Sequence, residues 1–174
     1  MADVNVRAAG PGDIAAITRI YASAVIHGTA TFETEPPDEA EMARRHQTLQ
    51  AKNYPYLVAE SARTIAGFAY VGPYHARAAY RWSIEDSIYI ASDFQRRGFG
   101  RQLLARLIAD SEALGFRQMI GMIGDSVNTA SIALHAACGF RFLGTLQSVG
   151  FKHGRWLDAV LMQRPLGRGD QTSP

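Results

Sequence analysis

"QRRGFGR" occupies Gln95 to Arg101, between an apolar alternating run and a strongly periodic one. The three arginines Arg96, Arg97 and Arg101 offer planar, permanently charged donors suited to phosphate or carboxylate. Gly98 and Gly100 allow positive φ and close backbone approach. The stretch enters the first turn of a helix, where unpaired N–H groups and the helix dipole favour an anion. Two familiar phosphate loops do not fit. A nucleotide-triphosphate loop needs G-x-x-x-x-G-K-[ST], and no lysine follows. A dinucleotide fingerprint needs a third glycine where this chain has Leu103. An exposed Arg-Gly loop with no ligand remains the plain alternative at this point.

Working outward, "WSIEDSIYIA" (Trp82–Ala91) reads as the strand before the loop. Alternation puts Ile84, Asp86, Ile88 and Ile90 on one face and Glu85, Ser87 and Tyr89 on the other. "RQLLARLIADSEALG" (Arg101–Gly115) reads as the helix after it, with Leu103, Leu104, Leu107, Ile108 and Leu114 as its apolar stripe. Upstream, "GDIAAITRIYASAVIHG" and "PDEAEMARRHQTLQAK" carry helical spacing, with Asp13 and Asp38 as caps. "YLVAES" and "TIAGFAYVGPY" read as a hairpin turning near Ala62 and Arg63. Downstream come a buried-type strand "RQMIGMIG", a short helix "NTASIALHAACG" capped by Asn128 or Ser126, and strands "FRFLGTLQSVGF" and "RWLDAVLMQRPL". The expectation is one mixed α/β (α+β) domain over residues 1–166 and a flexible C-terminal tail, 167–174.

The 174 residues suit one domain, and the net charge of +2 is too small to argue for nucleic acid. A single cysteine, Cys138, excludes an internal disulfide and is expected as a small buried apolar residue. No apolar run approaches the ~18 residues of a membrane span. The N-terminal stretch lacks a charged-then-apolar signal pattern, so the expected compartment is the cytoplasm. The five histidines are scattered without a metal-ligand pattern, and no metal is expected.

Gln95-Arg96-Arg97-Gly98-Phe99-Gly100 has the form Q/R-x-x-G-x-G/A and resembles the pyrophosphate loop of the GCN5-related N-acetyltransferases (GNAT), which use acetyl-coenzyme A. The segments "TFETEP", "YPYLVAE", "GFAYVGPYHARAAY", "SIEDSIYI", "LHAACGF" and "GFKHGRWLDAVLMQ" resemble the phosphinothricin and methionine sulfoximine N-acetyltransferase subfamily. The resemblance spans roughly Val6 to Leu166. It implies the GNAT fold, with a mixed, mostly antiparallel sheet flanked by helices. It further implies acetyl transfer to a small amino-acid-like amine, resistance to phosphinothricin as a consequence, and a homodimer.

The same resemblance assigns roles. Glu85 is the expected general base, with Asp86 the competing carboxylate that strand parity separates from it. The backbone of Ile88, Tyr89 and Ile90 is expected along the pantetheine arm, with an N–H near Tyr89 or Ile90 facing the thioester oxygen. Gln95, Arg96, Arg97, Gly98, Phe99, Gly100 and Arg101 are expected around the pyrophosphate, and Asn128 and Ser131 against the cofactor. His135 is expected near the thioester, either moving a proton or hydrogen-bonded inside the fold. Arg77, Tyr80 and Arg81 are expected to bind the acceptor's acidic groups. Phe32, Thr34 and Glu35 come from the loop expected to cover it, with Phe32 walling the pocket and Glu35 either attracting the acceptor ammonium or serving as a turn residue before Pro36. Lys152, His153, Arg155 and Trp156 sit in an expected hairpin near the dimer interface. Two other readings stay open: a GNAT acting on a protein N-terminus, polyamine or aminoglycoside, and a coenzyme A-binding module without turnover.

Overall fold

The computed structural model describes residues 4–174. Seven strands and four helices follow one another as β1 (Asn5–Ala8), α1 (Ile14–His27), α2 (Glu39–Gln50), β2 (Tyr56–Ser61), β3 (Thr64–Pro73), β4 (Ser83–Ile90), α3 (Phe99–Ala113), β5 (Gln118–Gly124), α4 (Thr129–Ala137), β6 (Arg141–Lys152) and β7 (Arg155–Pro165). The strands form one sheet in the order β1-β2-β3-β4-β5-β7-β6. Only β4 and β5 run parallel, joined by the α3 crossover, while the other neighbours are antiparallel.

Each face of the sheet is closed by helices, because each carries its own apolar set. On one face Leu103, Leu104, Leu107 and Ile108 of α3 pack on Ile84, Met119 and Val160. On the other, Ile17, Tyr21 and Val25 of α1 and Met42 of α2 pack on Tyr56, Val58 and Phe68. The turns have the backbone their hairpins require. Ala62 and Arg63 have φ of 48° and 64°, and His153 and Gly154 have φ of 51° and 74°.

Several expectations need correction. β1 carries no alternation strong enough to announce it, and its pairing with β2 makes it a strand. Asp13 stands at the start of α1 but its side chain does not cap that helix. It accepts from the Gly10 N–H and from the Arg7 guanidinium instead. Asp38 does cap α2, accepting from the Glu41 N–H. Leu114 is 50% exposed, because α3 ends at Ala113 and the apolar stripe stops with it. Segment 167–174 runs in turns, and Arg117 donates to the Gly169 and Ser173 carbonyls. No helix among the described residues is long and apolar enough to cross a membrane.

Candidate active site

β4 and β5 pair from Ser83–Gln118 to Asp86–Gly121 and then part, although β4 continues to Ile90 and β5 to Gly124. β3 still occupies the other edge of β4 as far as Ile90. The backbone of Ser87 to Ile90 is therefore unpaired on its β5 side. A cavity of about 40 Å³ lies in this opening, lined by Ser87, Tyr89, Met122, Asn128, Ser131 and His135 among others. An extended arm laid between the two strands would take up the ladder bonds that β4 leaves free.

The parity of β4 follows the alternation. Ile84 and Asp86 are buried toward the α3–α4 face. Tyr89 packs in the opposite core, edge-on to Tyr21 at 5.0 Å and stacked on Phe68 at 5.2 Å. Its side chain is thus structural, and any ligand contact is left to its backbone. Glu85 shares the Tyr89 face and is half-buried. Burial, and after it the like charge of Asp86, holds its carboxyl above the usual range. That is the condition under which a carboxylate accepts a proton near neutrality.

Asp86 has a different setting. His135 Nε2 lies 3.0 Å from Asp86 Oδ2, and both side chains are almost fully buried. His135 Nδ1 lies 2.8 Å from the Ser131 carbonyl oxygen, which can only accept. Burial alone would lower the histidine's pKa, but the hydrogen bond and charge of Asp86 outweigh it and raise it. An acceptor thus faces each ring nitrogen, an arrangement that favours the protonated ring. Asp86 Oδ1 is buried with no protein partner. Asn128 caps α4 by accepting from the Ser131 N–H, and it donates to the Gly124 carbonyl, tying α4 to the end of β5.

The anion loop closes the far end of the opening. Gly98 precedes α3 with φ 88°, and a Cβ there would meet open space. Glycine is required for the backbone angle, and the space is left to a ligand. Gly100 differs: a Cβ there would stand 3.2 Å from Leu134 Cδ2, so this glycine serves the packing of α3 on α4. Phe99 is fully buried, so only its backbone can face a ligand. Arg96 (φ 57°), Arg97 and Arg101 are exposed or partly exposed around the free N–H groups of α3. Arg97 is held over Phe94 and donates to the Asp93 carbonyl, and Gln95 donates to the Ile90 carbonyl. Open space, free amides and guanidinium groups fit a pyrophosphate here.

The other side of the opening is flanked by the loop between α1 and α2. A Cβ on Gly124 would run into the Thr29 carbonyl, and one on Gly150 would stand 2.6 Å from the Phe32 ring. Lys152, buried, donates from Nζ to the Thr31 carbonyl at 2.8 Å. His153 and the Gly28 carbonyl lie 3.2 Å apart. The loop is thereby fastened to the β6–β7 hairpin, and Phe32 reaches that hairpin. Thr34 and Glu35 are exposed. Glu33, two residues before Glu35, is the acid with a defined partner: it accepts from Arg45 Nη1 at 2.7 Å. Arg77, Tyr80 and Arg81 are exposed on the turn leading into β4, with Arg81 over the Trp82 ring.

Sequence reasoning passed over Ser87, Tyr70, Glu33 and Arg45. Ser87 shares the parity of Glu85 and was within reach of the alternation argument. Tyr70 enters only through its register with Ser87, and Glu33–Arg45 only through tertiary packing. Cys138 is partly buried, and burial raises its thiol pKa. Among the described residues no three metal-ligating side chains cluster.

Comparison with known proteins agrees with this geometry. A family model described as an acetyltransferase (GNAT) domain matches residues 6–161. A phosphinothricin N-acetyltransferase of Alcaligenes faecalis is 53% identical over 98% of this chain and 86% of its own length. An L-methionine sulfoximine/L-methionine sulfone acetyltransferase of Salmonella typhimurium is 36% identical over 94% of this chain and 95% of its own. The crystal structure of a GNAT superfamily phosphinothricin acetyltransferase from Sinorhizobium meliloti, in complex with acetyl-coenzyme A, superposes with a TM-score of 0.96. It is 47% identical and covers 98% of this chain and 92% of that one. The chain belongs to the GNAT family of acetyl-coenzyme A-dependent N-acetyltransferases.

Proposed function

We propose that this protein moves the acetyl group of acetyl-coenzyme A to the amino group of a small amino-acid-like acceptor, with Glu85 as general base. The carrying observation is the half-buried, uncompensated Glu85 carboxyl on the acceptor side of the β4–β5 opening. The names of the relatives at 53% and 36% identity support phosphinothricin or methionine sulfoximine as acceptors.

An acceptor ammonium has no lone pair, so it must lose a proton to Glu85, directly or through one water, before it attacks. The bound thioester would supply an activated acetyl group: a bond would form from the amine nitrogen to its carbonyl carbon, the carbon–sulfur bond would break, and coenzyme A would leave as the thiol, taking the amine's second proton. A free backbone N–H of β4 near Tyr89 or Ile90 would hold the thioester oxygen as charge develops. Gln95, Arg96, Arg97, Gly98, Arg101 and the α3 amides hold the pyrophosphate, and Asn128 and Ser131 border the arm. His135, held by Asp86, borders the opening. Arg77, Tyr80 and Arg81 meet the acceptor's acidic groups, and Phe32 walls it.

The assembly we propose is a homodimer of a cytoplasmic protein. β6 is an edge strand, and it exposes Phe142, Leu143, Leu146, Val149 and Phe151, with Trp156 beside them at 63% exposure. Such a row on an unpaired edge calls for cover, and a second copy related by a two-fold axis offers the same row in return.

The test is thiol release from acetyl-coenzyme A with each of L-phosphinothricin, L-methionine sulfoximine, spermidine and an aminoglycoside. Release with the first two is the expected result. Release with spermidine or the aminoglycoside alone would overturn the acceptor assignment.

A further inference from the structure

Lys152 is a charged side chain inside the protein. It stands at the end of β6, 4% exposed, and its Nζ donates to the Thr31 carbonyl at 2.8 Å. No ion pair among the described residues includes it. Burial lowers its pKa, and the charge of Glu33 offsets that only in part. A buried ammonium without a counter-ion is a cost to folding, and an apolar chain of similar length costs less there. Local costs of this kind are expected where function requires them.

The one bond that Lys152 makes leads to the site. Thr31 is buried, and its hydroxyl accepts from the Glu33 N–H and lies 2.9 Å from the Tyr21 hydroxyl. The Tyr21 ring stands edge-on to Tyr89, with centroids 5.0 Å apart and planes at 89°. Tyr89 belongs to the stretch of β4 that β5 leaves unpaired. Its rotation is therefore fixed by β3 and by the packing of its ring on Tyr21 and Phe68. The neighbours of Thr31 border the site as well. Ala30 lines the cavity between β4 and β5, and Phe32 meets the hairpin at Gly150.

We propose that Lys152 is a positioning residue for acetyl transfer: it pins Thr31, and through the Thr31 and Tyr21 hydroxyls it sets the orientation of the free β4 edge at Tyr89. The inference rests on the acetyl-transfer reading above. Lys152 acts through Thr31 and not on the reacting atoms.

The experiment follows thiol release with L-phosphinothricin, and thermal unfolding, in the wild-type protein, Lys152→Met, Thr31→Val, Thr31→Ser and the double variant Lys152→Met/Thr31→Val. Methionine fills the lysine's channel without its charge. Valine keeps the shape of threonine without its hydroxyl, and serine keeps the hydroxyl. Lys152→Met and Thr31→Val should each lower kcat by about 10- to 100-fold, the scale of a small misplacement of reacting groups. KM for acetyl-coenzyme A should stay within about twofold, because the pyrophosphate loop is untouched. The melting temperature of Lys152→Met should equal or exceed that of the wild type, since no charge is then buried at this position. Thr31→Ser should keep most of the wild-type kcat. The double variant should be no slower than the slower single one, because both changes cut the same chain of contacts. A melting temperature that falls together with kcat in Lys152→Met overturns the proposal in favour of a structural role alone. Multiplied losses in the double variant, Thr31→Ser as slow as Thr31→Val, or an unchanged kcat in Lys152→Met also overturn it. No thiol release by the wild-type protein with any acceptor removes the acetyl-transfer reading, and this role with it.

Discussion

Glu85 and Asp86 are adjacent carboxylates on one strand, and the pleat sends them to opposite faces of the sheet. Asp86 enters the α3–α4 face, where His135 meets it at 3.0 Å. Glu85 enters the α1–α2 face, where burial and the like charge of Asp86 act on it and no cation answers. A carboxylate with a buried counter-ion is committed to structure, because moving its proton would leave an unpaired charge in the core. A carboxylate that is half-desolvated and unpaired can exchange its proton. One residue of register thus separates a paired carboxylate from an unpaired one.

The largest effect expected from breaking this contrast is on rate. Glu85→Gln should lower kcat by ~10²–10⁴-fold, the contribution of a positioned general base, with acetyl-coenzyme A binding retained. The raised carboxyl pKa fixes the pH profile. The base works only when ionised, so kcat/KM should climb as pH rises through a value above the ordinary carboxylate range. That acid limb should be absent in Glu85→Gln. An unchanged rate, or a limb that persists in the variant, would move the base elsewhere.

Asp86 should answer in stability. Asp86→Asn leaves the His135 imidazolium buried without its counter-charge, and removing one partner of such a pair costs ~3–5 kcal/mol. The sign with pH is set by the raised histidine pKa. The pair's stabilisation is full below the unfolded-state value near ~6.5 and is lost as pH rises through the higher folded value. Thermal unfolding should show the gap between wild type and Asp86→Asn widest in mild acid and narrowing toward alkaline pH. A gap constant across that range would mean that His135 is neutral in the folded protein.

The split between these two residues was legible in "SIEDSIYI", because alternation is a local property of a strand. The elements flanking it were legible for the same reason: periodicity and turn residues placed ten of the eleven. β1 was not, since Asn5–Ala8 is defined by what it pairs with. The anion loop could be read from one contiguous motif. The loop after α1 and the β6–β7 hairpin could not be joined from sequence. Lys152 reaches Thr31 across 121 residues, and no spacing rule encodes that contact. Asp13 shows the same limit in small: its type and position announce a cap, and Arg7 redirects it.

The two glycines of the anion loop give a finer version of the contrast. Gly98→Val forces a β-branched residue into φ 88° with open space around it, at a backbone cost of about 1–3 kcal/mol. The expected outcome is weaker acetyl-coenzyme A binding by calorimetry, since the conformation that presents the α3 amides is the one strained. Gly100→Val presses on Leu134 and Ile90, with overpacking worth ~1–3 kcal/mol, and should lower the melting temperature first. Equal affinity losses and equal melting shifts in the two variants would erase the distinction.

Arg77 offers the smallest and most selective test. It is exposed at the turn that leads into β4, so water screens whatever it holds. Arg77→Ala should therefore raise KM for phosphinothricin by only about tenfold, near the lower end for a hydrogen bond to a charged group. Its kcat should hardly move, since Glu85 and the β4 amides are untouched. For a neutral acceptor such as leucine methyl ester, KM should stay within about twofold. If both acceptors suffer alike, Arg77 shapes the turn and not the recognition.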